Sequence, residues 1–407
     1  YGIGNLVPPG NILNRGMGGI SAGVADPQAI NFLNPATYGN FVYTTFDLGG
    51  EVDSRTLKNK VPVENFTANN AIISYIQIGV PLLNGNKKAV KKDISWGLNF
   101  GLRPVSKINY KIQTNGRLAG IDSTQTIYEG SGGVNEAFIG TGVKIKKFSI
   151  GFNTGYLFGN KNYSTRLLLV NDTVAYNASN SSNQTNFGGL FFNAGIQYVT
   201  KIKGGSLRIG AYGTLSKKYN ATQDILRETF SYNPTSGNPE TIDSVFHSNG
   251  EKGTIQMPAT YGAGFSIEKT HWLLGADVEA TNWDNYSFYG QKDAVKNTWL
   301  LKAGAQYFPG LSGSKKYWNF VKYRAGFYYG PDYISADNKL PQYGVSIGAG
   351  FPLKLNHTFY DNQYSTMNVA VEYGSRGNKN NNIRENILRV SVGFSLSDVW
   401  FLREKYH

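Results

Sequence analysis

Period-two alternation of apolar and polar residues, repeated along almost the whole chain, constrains this sequence most. In His271 to Trp283, one parity reads Trp272, Leu274, Ala276, Val278 and Ala280, and the other His271, Leu273, Gly275, Asp277, Glu279 and Thr281. The same split sets Leu388, Val390, Val392, Phe394 and Leu396 against Arg389, Ser391, Gly393 and Ser395. Only an extended strand sends successive side chains to opposite faces, so each run is a strand with one apolar face. About fourteen such runs occur, near residues 42–53, 68–80, 93–106, 134–146, 148–158, 187–201, 205–217, 257–269, 271–281, 298–308, 320–330, 342–353, 365–375 and 387–397. Each has roughly the length a tilted strand needs to cross a bilayer, and the even number is that of bacterial single-chain barrels.

The connections alternate in length. Odd-numbered ones are long or Asn-rich (107–133, 159–186, 218–256), while several even-numbered ones are tight, as at Lys146-Lys147 and Thr270. Outer-membrane barrels have this asymmetry, with short periplasmic turns and long outer loops. It predicts an all-β, transmembrane antiparallel barrel with both termini periplasmic. A soluble sandwich would also alternate. Regular strand length and aromatics near strand ends (Tyr156 and Phe158, Tyr328 and Tyr329, Trp400 and Phe401) favour the barrel.

Composition agrees. No run of 18 apolar residues could form a spanning helix, and the absence of Cys suits passage through an oxidising periplasm. The chain begins at Tyr1 without a charged and apolar leader, which reads as an exported, processed chain. The net charge of +13 is scattered rather than gathered on a basic helix, so the expected surface partner is outer-membrane lipid and lipopolysaccharide, not nucleic acid. If the apolar parity faces lipid, the lumen receives Arg103, Arg208, Asp277, Glu279, Lys302, Lys322, Arg324, Glu372 and Arg389, together with many glycines.

Residues 1–41 follow neither period. They are rich in Gly and Pro, and their charged side chains are Arg15 and Asp26 alone. Ile12, Leu13, Met17, Ile20, Val24, Ile30, Phe32 and Leu33 make a solvated tail a poor account, and a compact plug inside the barrel a better one. The stretch RGMGGISAGVADPQAINFLNPATYG resembles the hatch of the FadL-type family of outer-membrane transporters, with Asp26 preceding the Asn34-Pro35-Ala36 unit. MPATYGAGFSIEKTHWLLGADVEATNW, residues 257–283, resembles that family's Pro-Ala-Thr strand pair. The resemblance implies a hatch at 1–41, a 14-stranded barrel at 42–397 and a periplasmic tail at 398–407. It further implies passive transport of hydrophobic molecules such as long-chain fatty acids, by hatch rearrangement and lateral release near the third strand, where Gly97, Gly101 and Pro104 would weaken pairing. A bound carboxylate would need a cation, and Arg103, Arg208, Lys322, Arg324 and Arg389 are the candidates.

Catalysis is not expected. Two G-x-S-x-G matches, at Gly19–Gly23 and Gly344–Gly348, lack the strand-to-helix context of a nucleophile elbow, and the four His are too dispersed for a metal. No cofactor is implied. A second function stays open: a non-transporting barrel subunit of an outer-membrane protein assembly or secretion complex, with an outer-membrane or periplasmic protein partner. Its support is the long periplasmic turns, 81–92, 309–319 and 354–364, and the tail SDVWFLREKYH.

Overall fold

The computed structural model describes residues 2–60, 64–83, 93–120, 123–171, 174–233, 235–310, 316–335, 340–353, 365–378 and 380–398. One sheet contains every strand: β1 (Asn5–Leu6), β2 (Thr44–Asn59), β3 (Glu64–Leu83), β4 (Ile94–Gly116), β5 (Ser123–Ile145), β6 (Phe148–Val170), β7 (Ala178–Ile202), β8 (Gly205–Thr214), β9 (Lys217–Tyr232), β10 (Pro239–Met257), β11 (Thr260–Lys269), β12 (Trp272–Thr281), β13 (Ser287–Phe288), β14 (Thr298–Tyr307), β15 (Lys322–Pro331), β16 (Pro341–Leu353), β17 (Ser365–Arg376) and β18 (Ile383–Asp398). β8 and β9 divide one barrel position between them, because β7 pairs with β8 along Asn193–Ile202 and with β9 along Ala178–Gly188. β10 and β11, separated by Pro258-Ala259, divide the next. Counted this way the wall has fourteen strands, and β18 closes it on β2.

The barrel is built inside out. On β18, Leu388 is 50% exposed and Val390 42%, while Arg389 is 4% exposed and Ser391 2%. Trp272, Leu274 and Val278 likewise face outward and Asp277 inward. A soluble sandwich would bury the apolar parity; a strand whose apolar side is the exposed one has hydrocarbon as its solvent.

Several segments expected as loops are strand. β4 to β7 each run 23 or 25 residues, about twice what a tilted crossing requires, so they stand well clear of the bilayer on the long-hairpin side. β11, β12, β14 and β15 have ten residues each, and that side of the rim is low. The polar, Asn- and Thr-rich runs that read as irregular loops are ladder because each has a partner hairpin to complete its backbone hydrogen bonds. Of the turns and tail expected to dock a partner, residues 84–92, 311–315, 354–364 and 399–407 lie outside the described residues.

Candidate functional site

Residues 2–41 fill the lumen. α1 (Ile12–Arg15) is capped by Asn11, whose side chain accepts from Asn14 N, and Asn11 also donates to Ile30 O at 2.9 Å. Met17, Ile20, Ala22, Ile30 and Ala36 are fully buried. The wall admits this backbone because it lacks side chains where the two meet. A Cβ at Gly151 would lie 2.2 Å from the Pro35 carbonyl, and one at Gly210 would lie 1.9 Å from Ala22 O.

Asn34 is extended, at φ −113° and ψ 94°, as the following Pro35 favours. Its Oδ1 accepts from Ala36 N at 3.2 Å, and its Nδ2 donates to Ala22 O at 2.8 Å and to the wall carbonyl of Ile196 at 3.3 Å. The chain does not pass directly into a wall strand from here. Pro35–Asn40 forms a 3-10 helix with Pro35 in its first turn, and β2 begins only at Thr44. A proline with fixed φ and no N–H to satisfy is a natural first residue for that helix.

Both plug charges reach the wall, since a charge buried in an apolar plug has to find a partner. Asp26 accepts from Lys322 Nζ at 2.9 Å. Arg15 forms an ion pair with Glu51 and donates to Gly10 O at 3.0 Å and Pro8 O at 2.7 Å. Glu51 also meets Arg389 at 3.4 Å, and Arg389 meets Glu372 at 2.8 Å, so one buried network joins plug, β2, β17 and β18. On the opposite wall Asp277 accepts from Ser21 N at 2.5 Å and Ala22 N at 2.8 Å, next to the Lys302–Glu279 pair at 3.0 Å. The sequence placed Asp277, Glu279, Lys302, Lys322, Glu372 and Arg389 in the lumen but did not single out Glu51, and paired none of them with the plug. Its usable signal was that Arg15 and Asp26 stand alone in an apolar segment.

The five cations proposed to hold a carboxylate are engaged by protein groups. Arg103 pairs with Glu136 at 2.7 Å and lies over the Phe32 ring; Arg208 contacts Gln197 at 3.4 Å; Lys322 holds Asp26; Arg324 donates to Gln306 and Asn368, both at 2.8 Å; Arg389 is in the Glu51–Glu372 network. They are not gathered at one point. A cavity of about 330 Å³ between plug and wall is bordered by Arg103 and Arg389, by Phe32, Leu33 and Trp283, and by the first residues of the chain, but not by Arg208, Lys322 or Arg324.

Those first residues are held at one end of the barrel. Gly2 N donates to Asp293 Oδ2 at 2.6 Å, Gly2 O accepts from Lys161 Nζ at 2.9 Å and Tyr286 OH at 3.0 Å, and Ile3 O accepts from Ser106 Oγ at 2.8 Å. These partners belong to the long-hairpin end of the barrel, opposite the end where β18 stops and β2 begins. Gly4 takes φ +88°, and a Cβ there would meet Ile108 Cγ1 at 2.5 Å.

Beside this socket the wall is incomplete. β3 and β4 pair from Leu83↔Trp96 up to Ile76↔Leu102 and no further. Above that point β3 stays paired to β2, and β4 to β5, while β1 occupies the facing edge of β4 at Ser106 and Lys107, extended by Val7 N to Val105 O at 3.0 Å. Pairing persists through Gly97 and Gly101, whose missing side chains instead make room for Tyr38 O and for the Phe138 ring. Pro104 alone of the three sits at the break, next to a bulge in the β4–β5 ladder.

The whole barrel is similar to solved outer-membrane channels. It superposes on the CymD monoaromatic hydrocarbon channel with a TM-score of 0.57 at 16% identity, covering 97% of this chain and 99% of that one. A Pseudomonas aeruginosa FadL homologue gives 0.58 at 13%, with the same coverages. The Pseudomonas putida toluene transporter TodX gives 0.55 at 14%, covering 98% and 99%. These likenesses show a FadL-type fold. Among curated proteins none matches. The family model that matches does so over residues 1–407, and the chain therefore belongs to the BamG family.

Proposed function

We infer that this protein is a plugged, FadL-like barrel subunit of an outer-membrane protein assembly or secretion complex and does not itself move small molecules. The observation that carries this is the buried Arg15–Glu51–Arg389–Glu372 network, which bolts the plug to three wall strands. Opening such a plug strips paired charges of their partners in a poorly solvated lumen, at about 3–5 kcal/mol for each broken pair. BamG family membership favours the same reading, as do the tall strands on one side of the rim, which offer a partner a rigid surface. No catalytic step is part of the proposal.

The cavity favours a second reading, passive passage of a hydrophobic compound. It has the size of a small-molecule pocket, and Phe32, Leu33 and Trp283 are among its apolar lining. A fatty acid fits less well, because each candidate cation is already engaged. Native mass spectrometry of protein extracted gently from its own outer membrane separates the two. A stoichiometric protein complex with empty barrels supports the subunit. A lone barrel retaining an apolar molecule overturns it in favour of transport.

A further inference from the structure

The break between β3 and β4 leaves two strand edges facing each other across a slot. On one side Asn65–Ile73 of β3 have β2 as their neighbour and, among the described residues, no strand on the other flank. On the other side β4 above Lys107 has β5 and again no second neighbour. Exposed sheet edges of this length are templates for another strand, and natural proteins usually cover them.

The slot has a definite width. Asn109 Nδ2 reaches Asn70 Oδ1 at 3.4 Å across it. Two Asn side chains in contact hold their backbones no more than about 10 Å apart, which at the ~4.8 Å spacing of paired strands is room for at most one strand, and an incoming segment would take the place of this contact. The base of the slot already holds one: β1 lies antiparallel along β4. Because Val105 O accepts from Val7 N, alternate residues 107, 109 and 111 turn their backbone groups to the same edge. Side chains around the slot are apolar at its foot, where Ile73 is 59% exposed, and mixed at the top, where exposed Asn69, Asn109 and Lys111 stand among exposed Phe66, Tyr110 and Ile112.

We propose that an extended segment of a partner protein adds as a β-strand in this slot, above β1, pairing with the free edges of β3 and β4. Backbone hydrogen bonds supply the affinity and alternate side chains the selectivity, as in other strand additions. The segment would be apolar where it meets the outer leaflet and would mix apolar and polar side chains above it, to match Phe66, Tyr110 and Ile112 as well as Asn69, Asn109 and Lys111. This inference rests on the subunit reading and gives that subunit its docking site.

The test is photocrosslinking in native membranes, with a benzophenone amino acid placed at Asn69, at Lys111 and, as a lipid-facing control, at Tyr343. The expected result is adducts from Asn69 and Lys111 that map to a single short peptide of one stoichiometric partner, and none to that peptide from Tyr343. Asn109→Pro with Lys111→Pro, or separately Asn69→Pro, removes backbone donors from one edge. Each should lower the adduct at least tenfold while heat-modifiable migration shows a folded barrel; Asn109→Ala, which keeps the backbone, should not. Adducts only to lipid or small molecules overturn the proposal, as do Pro variants that crosslink like the parent. An intact complex without slot adducts sinks the slot and leaves the subunit; a lone barrel sinks both.

Discussion

Replacing Glu51 by Gln tests whether the plug is bolted. The substitution keeps the side-chain volume but removes the carboxylate that Arg15 and Arg389 share. Arg389 retains Glu372 at 2.8 Å, whereas Arg15 is left with the carbonyls of Pro8 and Gly10 and with Ser74 Oγ at 3.4 Å. Both members of the Arg15–Glu51 pair are 2–3% exposed, so water does little to replace the lost partner. Breaking a buried pair by removing one member costs about 3–5 kcal/mol, and the remaining oxygens put this case near ~3. At 1.4 kcal/mol per tenfold, the population of the displaced plug should rise on the order of a hundredfold. Hydrogen–deuterium exchange in lipid nanodiscs reads this directly, because local opening governs exchange of protected amides. Peptides covering residues 8–20 should exchange on the order of a hundredfold faster, with β14 to β16 unchanged. Exchange of those peptides within about threefold of the parent, or equal acceleration of wall and plug, would refute the reasoning.

Gly210→Val should displace the plug without unfolding the barrel, since even a Cβ there lies 1.9 Å from Ala22 O; protease cleavage within residues 1–41 of an otherwise heat-modifiable barrel checks it. Asn34→Ala removes the side-chain acceptor for Ala36 N and one of two donors to Ala22 O, which Gln197 Nε2 also reaches at 2.8 Å, and should cost about 1–3 kcal/mol, seen as a lower denaturation midpoint; Asn34→Asp, which sets a buried carboxylate against the Ala22 and Ile196 carbonyls, should not restore it. At the long-hairpin rim, burial acts to raise the Glu385 carboxyl, but Arg376 at 2.9 Å outweighs it and holds the group below its ordinary value. A depressed carboxylate stabilises the fold above its unfolded pKa, about 4.3, and loses that contribution as pH falls through the folded one. The melting-temperature difference between the parent and Glu385→Gln should therefore be constant above about pH 5 and shrink toward zero below about pH 4; a difference independent of pH would exclude the mechanism.

The alternation of Leu388, Val390, Val392 and Phe394 with Arg389, Ser391 and Gly393 was enough to read strands and their number, because facing is a property of each strand's own backbone period; which parity faces outward needed strand length and the loop asymmetry as well. Asn34-Pro35 was legible for the same local reason: proline constrains its own φ and the conformation of the residue before it. Other features were not local. Whether 107–116 forms strand or loop depends on 123–133 being available to pair with it, a matter of two segments rather than one composition. Of the weak points expected in the third strand, Gly97 and Gly101 stay paired and accommodate plug and neighbouring side chains, while the ladder parts beside Pro104.

Sequence alone pointed to the barrel, its fourteen crossings and an apolar segment too sticky to remain in water, because period-two runs of bilayer-crossing length with aromatic ends fit a barrel better than a sandwich. Only the tertiary structure decided that Arg15 meets Glu51 across 36 residues, that Gly2 is held by Asp293 at the long-hairpin end, and that β3 and β4 part above Leu102. Each is a meeting of groups remote in the chain. Their pairing is set by where closure of the barrel brings the inward faces together, and that closure is a property of all the strands at once.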